Sequence, residues 1–393
     1  MIHILITVLF LSVSVNGQSV LELIKQYNDS ENKSIVLEQL KTDYQKCLFL
    51  RIMEDSGSKD IILVNLISDA KKEFGNMYSK DLLYLAIAAS DLHFIKLKID
   101  KKEYFSPFSQ KSQFDINHPL LLASYFGNLE IIKTIVGDRD ISNFVFSNET
   151  PLFFSRNIET TEFFLRKGIP INFDSRGAKA LSALIYSGFD ESASLLIKKG
   201  AELPDDILTA SIENSCVKVV GLLVEKGYKL DNNLLSYVFE SSRKKNNLFK
   251  IFEKELGKQL ILPSEYLFYI TKEEHFELFK YISEKYKLDL NIILDGESLI
   301  GRASQDLNIK LVKYLISKKV ILKNGIGDLY TPIILGELQK ISKMKNQKRL
   351  ALLELLLQAN APTKVGRYNA LANAEHEDDK DFLNLYYKYL KKE

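Results

Sequence analysis

The chain offers few side chains that could carry out chemistry. Its five histidines are spread along the whole sequence, and no two lie at metal-ligand spacing from each other or from a cysteine. They are His3, His93, His118, His275 and His376. The sequence contains no glycine-rich phosphate loop and no Gly-x-Ser-x-Gly nucleophile motif. It therefore predicts no catalytic residue, no metal ligand and no cofactor site, and we expect no enzymatic activity.

Three short motifs could suggest chemistry, but each has a simpler structural interpretation. Ser215-Cys216 could supply a nucleophile, yet it falls in the turn predicted between two helices. The acidic run at residues 375–379 lacks the alternating spacing and the glycine of a calcium loop, so we interpret it as a solvated loop. The basic run at residues 343–349 belongs to an insertion and is interpreted as an exposed loop, which could also contact an acidic partner.

The composition is that of a folded protein without a strong charge. Hydrophobic residues make up 46% and charged residues 26% of the 393 residues. Only 18 glycines and 8 prolines are present, which argues against a turn-rich β fold. The 53 basic and 51 acidic residues form no basic block, so no nucleic-acid partner is expected. A chain of this length favours several domains or a repeat array.

The hydrophobic pattern of the N-terminus predicts an export signal. Residues 4–15 form an apolar run of twelve, followed by Asn16-Gly17. A membrane-spanning helix needs about 20 such residues, so this run suits the core of a signal peptide cleaved before Gln18. The alternative is a buried first helix, because only His3 and no lysine or arginine precedes the run. We predict a signal peptide at 1–17, export to the periplasm or the medium, and no membrane span in the mature chain.

A repeating pattern organises the rest of the chain. Residues 118–133 read HPLLLASYFGNLEIIK, and the start of this motif recurs at Thr150-Pro151-Leu152 and Thr331-Pro332-Ile333. Ten anchor positions follow from aligning the leucine of that start: Leu83, Leu120, Leu152, Leu181, Leu208, Leu235, Leu267, Ile300, Ile333 and Leu371. The 288 residues from the first anchor to the last divide into nine steps with a mean of 32. The pattern resembles the ankyrin repeat, whose unit is about 33 residues.

The resemblance implies an all-α fold, an ankyrin-type helix-pair solenoid of about ten irregular repeats with helical caps. Residues 18–77 would form an N-terminal helical capping region, in which one degenerate repeat at 48–77 is an option. Residues 78–393 would form the repeat array with a C-terminal capping helix. Such an array is expected to act as a non-enzymatic scaffold that binds another protein.

The signature residues have local physical roles. Threonine at a repeat start, as at Thr150, is expected to cap a helix through its hydroxyl, and the following proline gives up an N–H that has no helical partner. His118 takes the threonine position, so we assign it a structural role. Gly127 and Gly188 are expected to end helices in the left-handed conformation.

In ankyrin arrays the two positions before the turn glycine that ends each first helix face the concave groove and contact the partner. Carried over to this sequence, these positions hold Tyr125, Phe126, Tyr186, Ser187, Glu213, Asn214, Gln305 and Asp306. Aromatic residues there would make good binding anchors. A packing contact between helices is the alternative for Tyr125 and Phe126.

Two further predictions follow from the repeat. Cys47 and Cys216 lie five repeat steps apart, which corresponds to about 50 Å at about 10 Å per helix layer. A disulfide needs Cα atoms within about 7 Å, so no intramolecular bridge is expected. Two other functions stay open: an exported effector or toxin whose N-terminal segment carries an activity while the repeats provide targeting, and a purely structural spacer.

Overall fold

The computed structural model describes residues 19–29, 36–55, 61–75, 77, 82–99, 118–146, 148–175, 177–325, 327–333 and 343–390. The chain divides into two compact units, residues 1–207 and 208–393, and the boundary falls within helix Ile207–Glu213. The signal peptide predicted at 1–17 lies outside the described residues. The fold class is all-α, as predicted, because the described strands are only two residues long.

The N-terminal unit consists of helix pairs that pack in sequence order. Its helices are Val20–Asp29, Asp43–Asp55, Ile61–Phe74, Leu82–Ala88, Leu92–Ile99, Pro119–Phe126, Leu129–Val136, Ile158–Arg166, Ala180–Tyr186 and Asp190–Lys198, with a 3₁₀ turn at Pro151–Phe154. From Asp43–Asp55 onward these elements alternate between the first and the second helix of a pair. Each first helix, or the 3₁₀ turn in its place, packs against the next. Helix Val20–Asp29 packs against Asp43–Asp55 and Leu92–Ile99.

The C-terminal unit repeats this arrangement. Its helices are Ile207–Glu213, Val217–Glu225, Asn232–Glu240, Lys245–Leu256, Phe276–Lys285, Leu299–Gln305, Ile309–Ser317, Lys343–Gln358, Ala370–His376 and Lys380–Leu390. Its 3₁₀ segments are Gly257–Gln259, Ser264–Ile270, Glu273–His275 and Thr331–Ile333. Two antiparallel hairpins pair Ile293–Leu294 with Glu297–Ser298, and Lys364–Val365 with Tyr368–Asn369. A similar hairpin in the N-terminal unit pairs Asp174–Ser175 with Ala178–Lys179.

Small residues and glycines stand where the repeat requires them. Ala86, Ala123 and Ala303 are completely buried, which allows neighbouring helices to approach closely. Gly127 has φ 71°, and its N–H donates to the carbonyl of Ala123 at the end of helix Pro119–Phe126. A Cβ at this position would lie 2.8 Å from Nδ2 of Asn157, so conformation and space both favour glycine.

Asparagines at the start of three second helices link successive pairs. Oδ1 of Asn157 accepts the N–H of Thr160 at 3.0 Å, and its Nδ2 donates to the carbonyl of Gly127 at 2.8 Å. Asn128 and Asn308 likewise cap their own helices and donate to the preceding repeat. One side chain therefore satisfies backbone groups at a helix N-terminus and also ties down the neighbouring turn.

His118 has the structural role that was predicted for it. Its Nδ1 accepts the N–H of Leu120 at 3.1 Å and so caps helix Pro119–Phe126. The imidazole centroid lies 4.7 Å from the ring of Phe144 and 5.1 Å from that of Phe146. Burial in this apolar setting lowers the pKa of His118 to about 4, which keeps the ring neutral.

The threonine starts do not behave as predicted. Thr150 makes no side-chain capping hydrogen bond, and its buried Oγ1 has no partner among the described atoms. The second helix of this pair begins at residue 158, six positions after Leu152, whereas the corresponding helix begins nine positions after Leu120. The shorter spacing leaves room for a single 3₁₀ turn, Pro151–Phe154. Thr331 also differs, since its hydroxyl donates to Asp328 at 2.8 Å.

The interpretation of the basic and acidic runs as solvated loops was wrong in part. Residues 343–349 are the first turns of helix Lys343–Gln358, and Arg349 within them is completely buried. Arg349 forms an ion pair with Asp379, which ends the acidic run and is also completely buried. Nε of Arg349 also donates to the carbonyl of Ile333 at 2.7 Å. A buried guanidinium requires a charged partner and further acceptors, and both are present.

The turn and cysteine positions match the repeat. Ser215 adopts φ 64° in the turn after helix Ile207–Glu213, and Cys216 stands at the start of helix Val217–Glu225. Cys47 and Cys216 are both buried, and neither forms a disulfide. Burial, with Asp43 nearby, raises the pKa of Cys47 to about 12, so this thiol is not an activated nucleophile.

Candidate partner-binding site

Five half-buried rings form a continuous cluster in the N-terminal unit. They are Tyr44, Tyr84, Tyr125, Phe126 and Phe189, and we call this cluster the aromatic face. The ring centroid of Phe126 lies 5.9 Å from that of Tyr44, 6.4 Å from that of Tyr84 and 5.6 Å from that of Tyr125. Tyr125 continues the cluster to Phe189 at 6.1 Å. These distances are within the range of favourable aromatic contacts.

The repeat architecture brings these rings together. Tyr125 and Phe126 are the last two residues of helix Pro119–Phe126, directly before the left-handed turn at Gly127. Phe189 follows the equivalent left-handed residue, Gly188, and precedes the second helix Asp190–Lys198. Tyr44 and Tyr84 come from the first turns of two earlier first helices. Packing of first helix against first helix therefore joins rings that lie far apart in sequence.

Two phenols of this face have raised pKa values and stay protonated. Burial, together with Tyr84 and Tyr125, raises the pKa of Tyr44 to about 12. Burial also raises the pKa of Tyr84. The hydroxyls of Tyr44 and Tyr125 make no hydrogen bond within the part of the chain that the structure describes.

Arg156 borders the aromatic face. Its guanidinium carbon lies 6.0 Å from the ring centroid of Phe189, within reach of a cation–π contact. The side chain is half-buried, and this burial lowers its pKa, although the guanidinium of arginine stays charged at any physiological pH. Arg156 thus places a positive charge at one end of the face.

The other two predicted residues of this unit are exposed. Tyr186 has 57% of its surface exposed, and its hydroxyl donates to Oδ2 of Asp206 at 3.1 Å. Ser187 is exposed and ends helix Ala180–Tyr186, with its N–H donating to the carbonyl of Ala183. Tyr125 and Phe126, by contrast, are half-buried: part of each ring packs against neighbouring rings and part is exposed. The packing contact considered for these two rings is therefore present, and their role in binding a partner stays a prediction.

The four predicted residues of the C-terminal unit are polar, and two of them bond within their own unit. Asn214 is half-buried and donates to the carbonyl of Ala210 at 2.8 Å. Asp306 is exposed and accepts the hydroxyl of Thr271 at 2.6 Å. Glu213 is half-buried and Gln305 is exposed. These residues do not form an aromatic cluster like that of the N-terminal unit.

Sequence reasoning missed Tyr44, Tyr84, Phe189 and Arg156. It considered only the two positions before each turn glycine, whereas Tyr44 and Tyr84 stand near the start of their helices. The presence of tyrosine near the start of both helices was a signal that could have added Tyr44 and Tyr84 to the predicted binding residues. Phe189 directly follows Gly188, so the position after the turn glycine is a further candidate position for a partner-binding residue.

Other features that could carry chemistry have structural explanations or are not found in the described part of the chain. Among the described residues, no group of three or more His, Cys, Asp or Glu side chains could hold a metal ion. No described helix is long and apolar enough to cross a membrane. Lys245 is buried, and its Nζ donates to the carbonyls of Phe239 and Val238 at the end of helix Asn232–Glu240. Burial lowers its pKa to about 8, but this arrangement is a helix cap.

Comparison with known proteins gives a likeness of fold. No protein-family model matches the chain, and no curated protein matches it. Among solved structures, the chain is similar to the ankyrin repeat domain of Bcl-3, described as a unique member of the IkappaB protein family. The identity is 14%, the match covers 66% of this chain and 92% of that chain, and the TM-score is 0.23. The ankyrin-like class of the fold rests on the succession of first helix, second helix and hairpin within each unit.

Proposed function

We propose that the protein is a non-enzymatic interaction scaffold that binds another protein through the aromatic face and the adjoining Tyr186 and Ser187. The observation that carries this proposal is the aromatic face itself. Its five rings are only half-buried, and two of its hydroxyls have no partner among the described residues. Aromatic residues in the centre of an interface commonly supply most of its binding energy.

We further propose that the protein is exported to the periplasm or the medium. The apolar run at residues 4–15 and its short length support export. Helix Val20–Asp29 begins two residues after the predicted cleavage site before Gln18, so cleavage would leave this helix intact. N-terminal sequencing of the protein from the extracellular or periplasmic fraction should begin at Gln18. Recovery of a chain that retains Met1 inside the cell would contradict export.

The effector hypothesis places an activity in the N-terminal segment. What supports a capping role instead is the burial of Val20, Leu23 and Tyr27, whose helix packs on the first helix pair. The ring of Tyr27 contacts that of Phe49 at 5.6 Å. Residues committed to this packing are poorly placed to act on a substrate.

Site-specific photo-crosslinking tests partner binding. A photoreactive phenylalanine replaces Tyr186 in one variant and Tyr281 in a control, because both tyrosines are exposed and carry a hydrogen-bonded hydroxyl. We expect the same protein to be captured repeatedly at position 186 and not at 281. Replacement of Tyr125 and Phe126 by alanine in the crosslinking variant should abolish this capture. Equal capture at both positions, or capture that survives these replacements, would contradict binding through the aromatic face.

A further inference from the structure

We infer that the aromatic face binds a proline-rich segment of its partner in the polyproline II conformation. This inference rests on the proposed function, since it names the kind of segment that the same face would take. It follows from the hydrogen-bonding groups that the face presents, from the groups that it lacks, and from its length.

The face presents donors and apolar rings. The hydroxyls of Tyr44 and Tyr125 have no internal partner among the described residues, and the raised pKa of Tyr44 keeps its hydroxyl protonated. A complementary ligand must therefore bring hydrogen-bond acceptors. The carbonyls of an α-helix already accept bonds within that helix, so a helical ligand is a poor match. A polyproline II segment has no internal hydrogen bonds and keeps its carbonyls free.

The face offers few acceptors in return. Apart from the phenol oxygens, the side chains of the face have no acceptors, since phenylalanine rings and the guanidinium of Arg156 carry none. Three nearby carbonyls are already engaged, because Ala123 and Ser124 accept the N–H of Gly127 and the carbonyl of Gly127 accepts Nδ2 of Asn157. An ordinary extended peptide would bring N–H groups that lose water without gaining a partner. Proline has no N–H, so a proline-rich segment avoids this cost.

The dimensions and charge of the face fit such a segment. Three ring-to-ring steps of 5.9, 5.6 and 6.1 Å lead from Tyr44 through Phe126 and Tyr125 to Phe189. The face is therefore at most about 18 Å long, which corresponds to about six residues at the polyproline II rise of ~3.1 Å. Pyrrolidine rings pack well on aromatic side chains, and a preformed polyproline II helix loses little entropy on binding.

Fluorescence anisotropy with the full chain tests the inference. The probe is a fluorescein-labelled decaproline, and the comparison peptides are a glycine–serine decamer and an alanine-rich helical peptide of matched charge. We expect saturable binding of decaproline and no binding of the other two. Tyr44→Phe and Tyr125→Phe should each weaken this binding by about threefold to tenfold, because each removes one hydroxyl and keeps its ring. Tyr281→Phe, in the other unit, is the matched control and should change nothing.

The outcomes separate the inference from the proposed function. Both variants keep their aromatic rings, so we expect little change in stability. Thermal melts of the two variants test whether they are folded. Equal binding of the glycine–serine decamer, or decaproline binding unchanged by both variants, would overturn the inference. Capture of a partner at position 186 without decaproline binding would overturn the inference and leave the proposed function standing. Decaproline binding that depends on the hydroxyls, without capture of any partner, would support the inference and count against the proposed function.

Discussion

The two units are built from the same helix pairs but differ in the bonding of the tyrosines that lie between successive pairs. In the N-terminal unit, half-buried rings on the first helices contact one another across repeats. In the C-terminal unit, second helices are joined by clasps in which a glutamate accepts from a tyrosine and a lysine of the next second helix. The three clasps are Glu253 with Tyr281 and Lys285, Glu284 with Tyr314 and Lys318, and Glu354 with Tyr389 and Lys388.

The difference shows that tyrosine content alone does not indicate a binding surface. The hydroxyl of Tyr281 lies 3.0 Å from Glu253, so its donor is already used within the unit. Burial would raise the pKa of Glu253, but hydrogen bonds from Tyr286, Lys285 and Tyr281 hold it below its usual value. Among the described residues, no carboxylate accepts a hydrogen bond from the hydroxyl of Tyr44 or Tyr125. The candidate site is therefore defined by its unused hydrogen-bonding groups rather than by the presence of rings.

The largest expected effect is in the C-terminal unit, at the buried ion pair. Arg349→Met leaves Asp379 buried without a counter-charge and should lower the free energy of unfolding of this unit by about 3–5 kcal/mol. Urea denaturation monitored by circular dichroism measures this free energy. Where two transitions appear, the two units are fitted separately. Lys348→Met is the control, because Lys348 pairs with Glu273 in an exposed bridge. An effect of Arg349→Met no larger than that of the control would contradict the buried pair.

The pH dependence of stability should contain a contribution from His118 in the N-terminal unit. The folded pKa of His118 is about 4 and its unfolded value about 6.5, so the unfolded state binds more protons between these values. The stability contributed by neutral His118 is complete above pH 6.5 and is lost as the pH falls toward 4, by up to about 3 kcal/mol. His118→Asn keeps a capping side chain that does not titrate and should flatten this dependence. Parallel pH profiles for the two proteins would rule out His118 as the source.

A pair of alanine variants should separate packing from binding within the aromatic face. Phe126→Ala removes a half-buried ring that contacts three others, and should lower the free energy of unfolding by about 1–2 kcal/mol as well as weaken partner binding. Tyr186→Ala removes a mostly exposed ring and should change stability by less than about 0.5 kcal/mol while still weakening binding. Denaturation and crosslinking yields measure the two effects. A large loss of stability in Tyr186→Ala would show that this ring packs instead.

The smallest expected effect is at a clasp. Glu253→Gln keeps the shape of the side chain and removes its charge, so the Tm of the C-terminal unit should fall by about 1–3 °C at low salt. The difference should shrink in 1 M salt, because exposed charges are screened. Glu255→Gln is the control, because the carboxylate of Glu255 lies 3.6 Å from Nζ of the exposed Lys254 in a weak ion pair. A salt-independent change, or an equal change in the control, would show that the clasp is not electrostatic.

Local features of the repeat could be predicted from the sequence because their causes are local. The cap at His118 and the left-handed turn at Gly127 each depend on a few neighbouring residues, and both are confirmed. The 3₁₀ turn at Pro151–Phe154 could not be predicted from Thr150-Pro151, since the distance to the following helix start decides it. The domain boundaries, export and partner-binding residues stay predictions.

Contacts between distant residues were the least predictable. Arg349 and Asp379 each sit in a charged run that looks solvated when it is considered alone, and only the packing of two elements buries them together. The same applies to Tyr44 and Phe126, which lie in different helix pairs. Their proximity depends on how first helices stack, which no single repeat motif specifies.

The asparagines that cap second helices also determine how opening spreads along a unit. If the pair that contains Asn157 unfolds, the carbonyl of Gly127 in the preceding pair loses its hydrogen-bond donor along with the capped N–H of Thr160. Local fraying of one repeat therefore costs its neighbour as well, which raises the nearest-neighbour coupling of the array. Amide hydrogen exchange would register such coupling as shared protection of adjacent pairs, so that they open as one cooperative segment rather than one at a time.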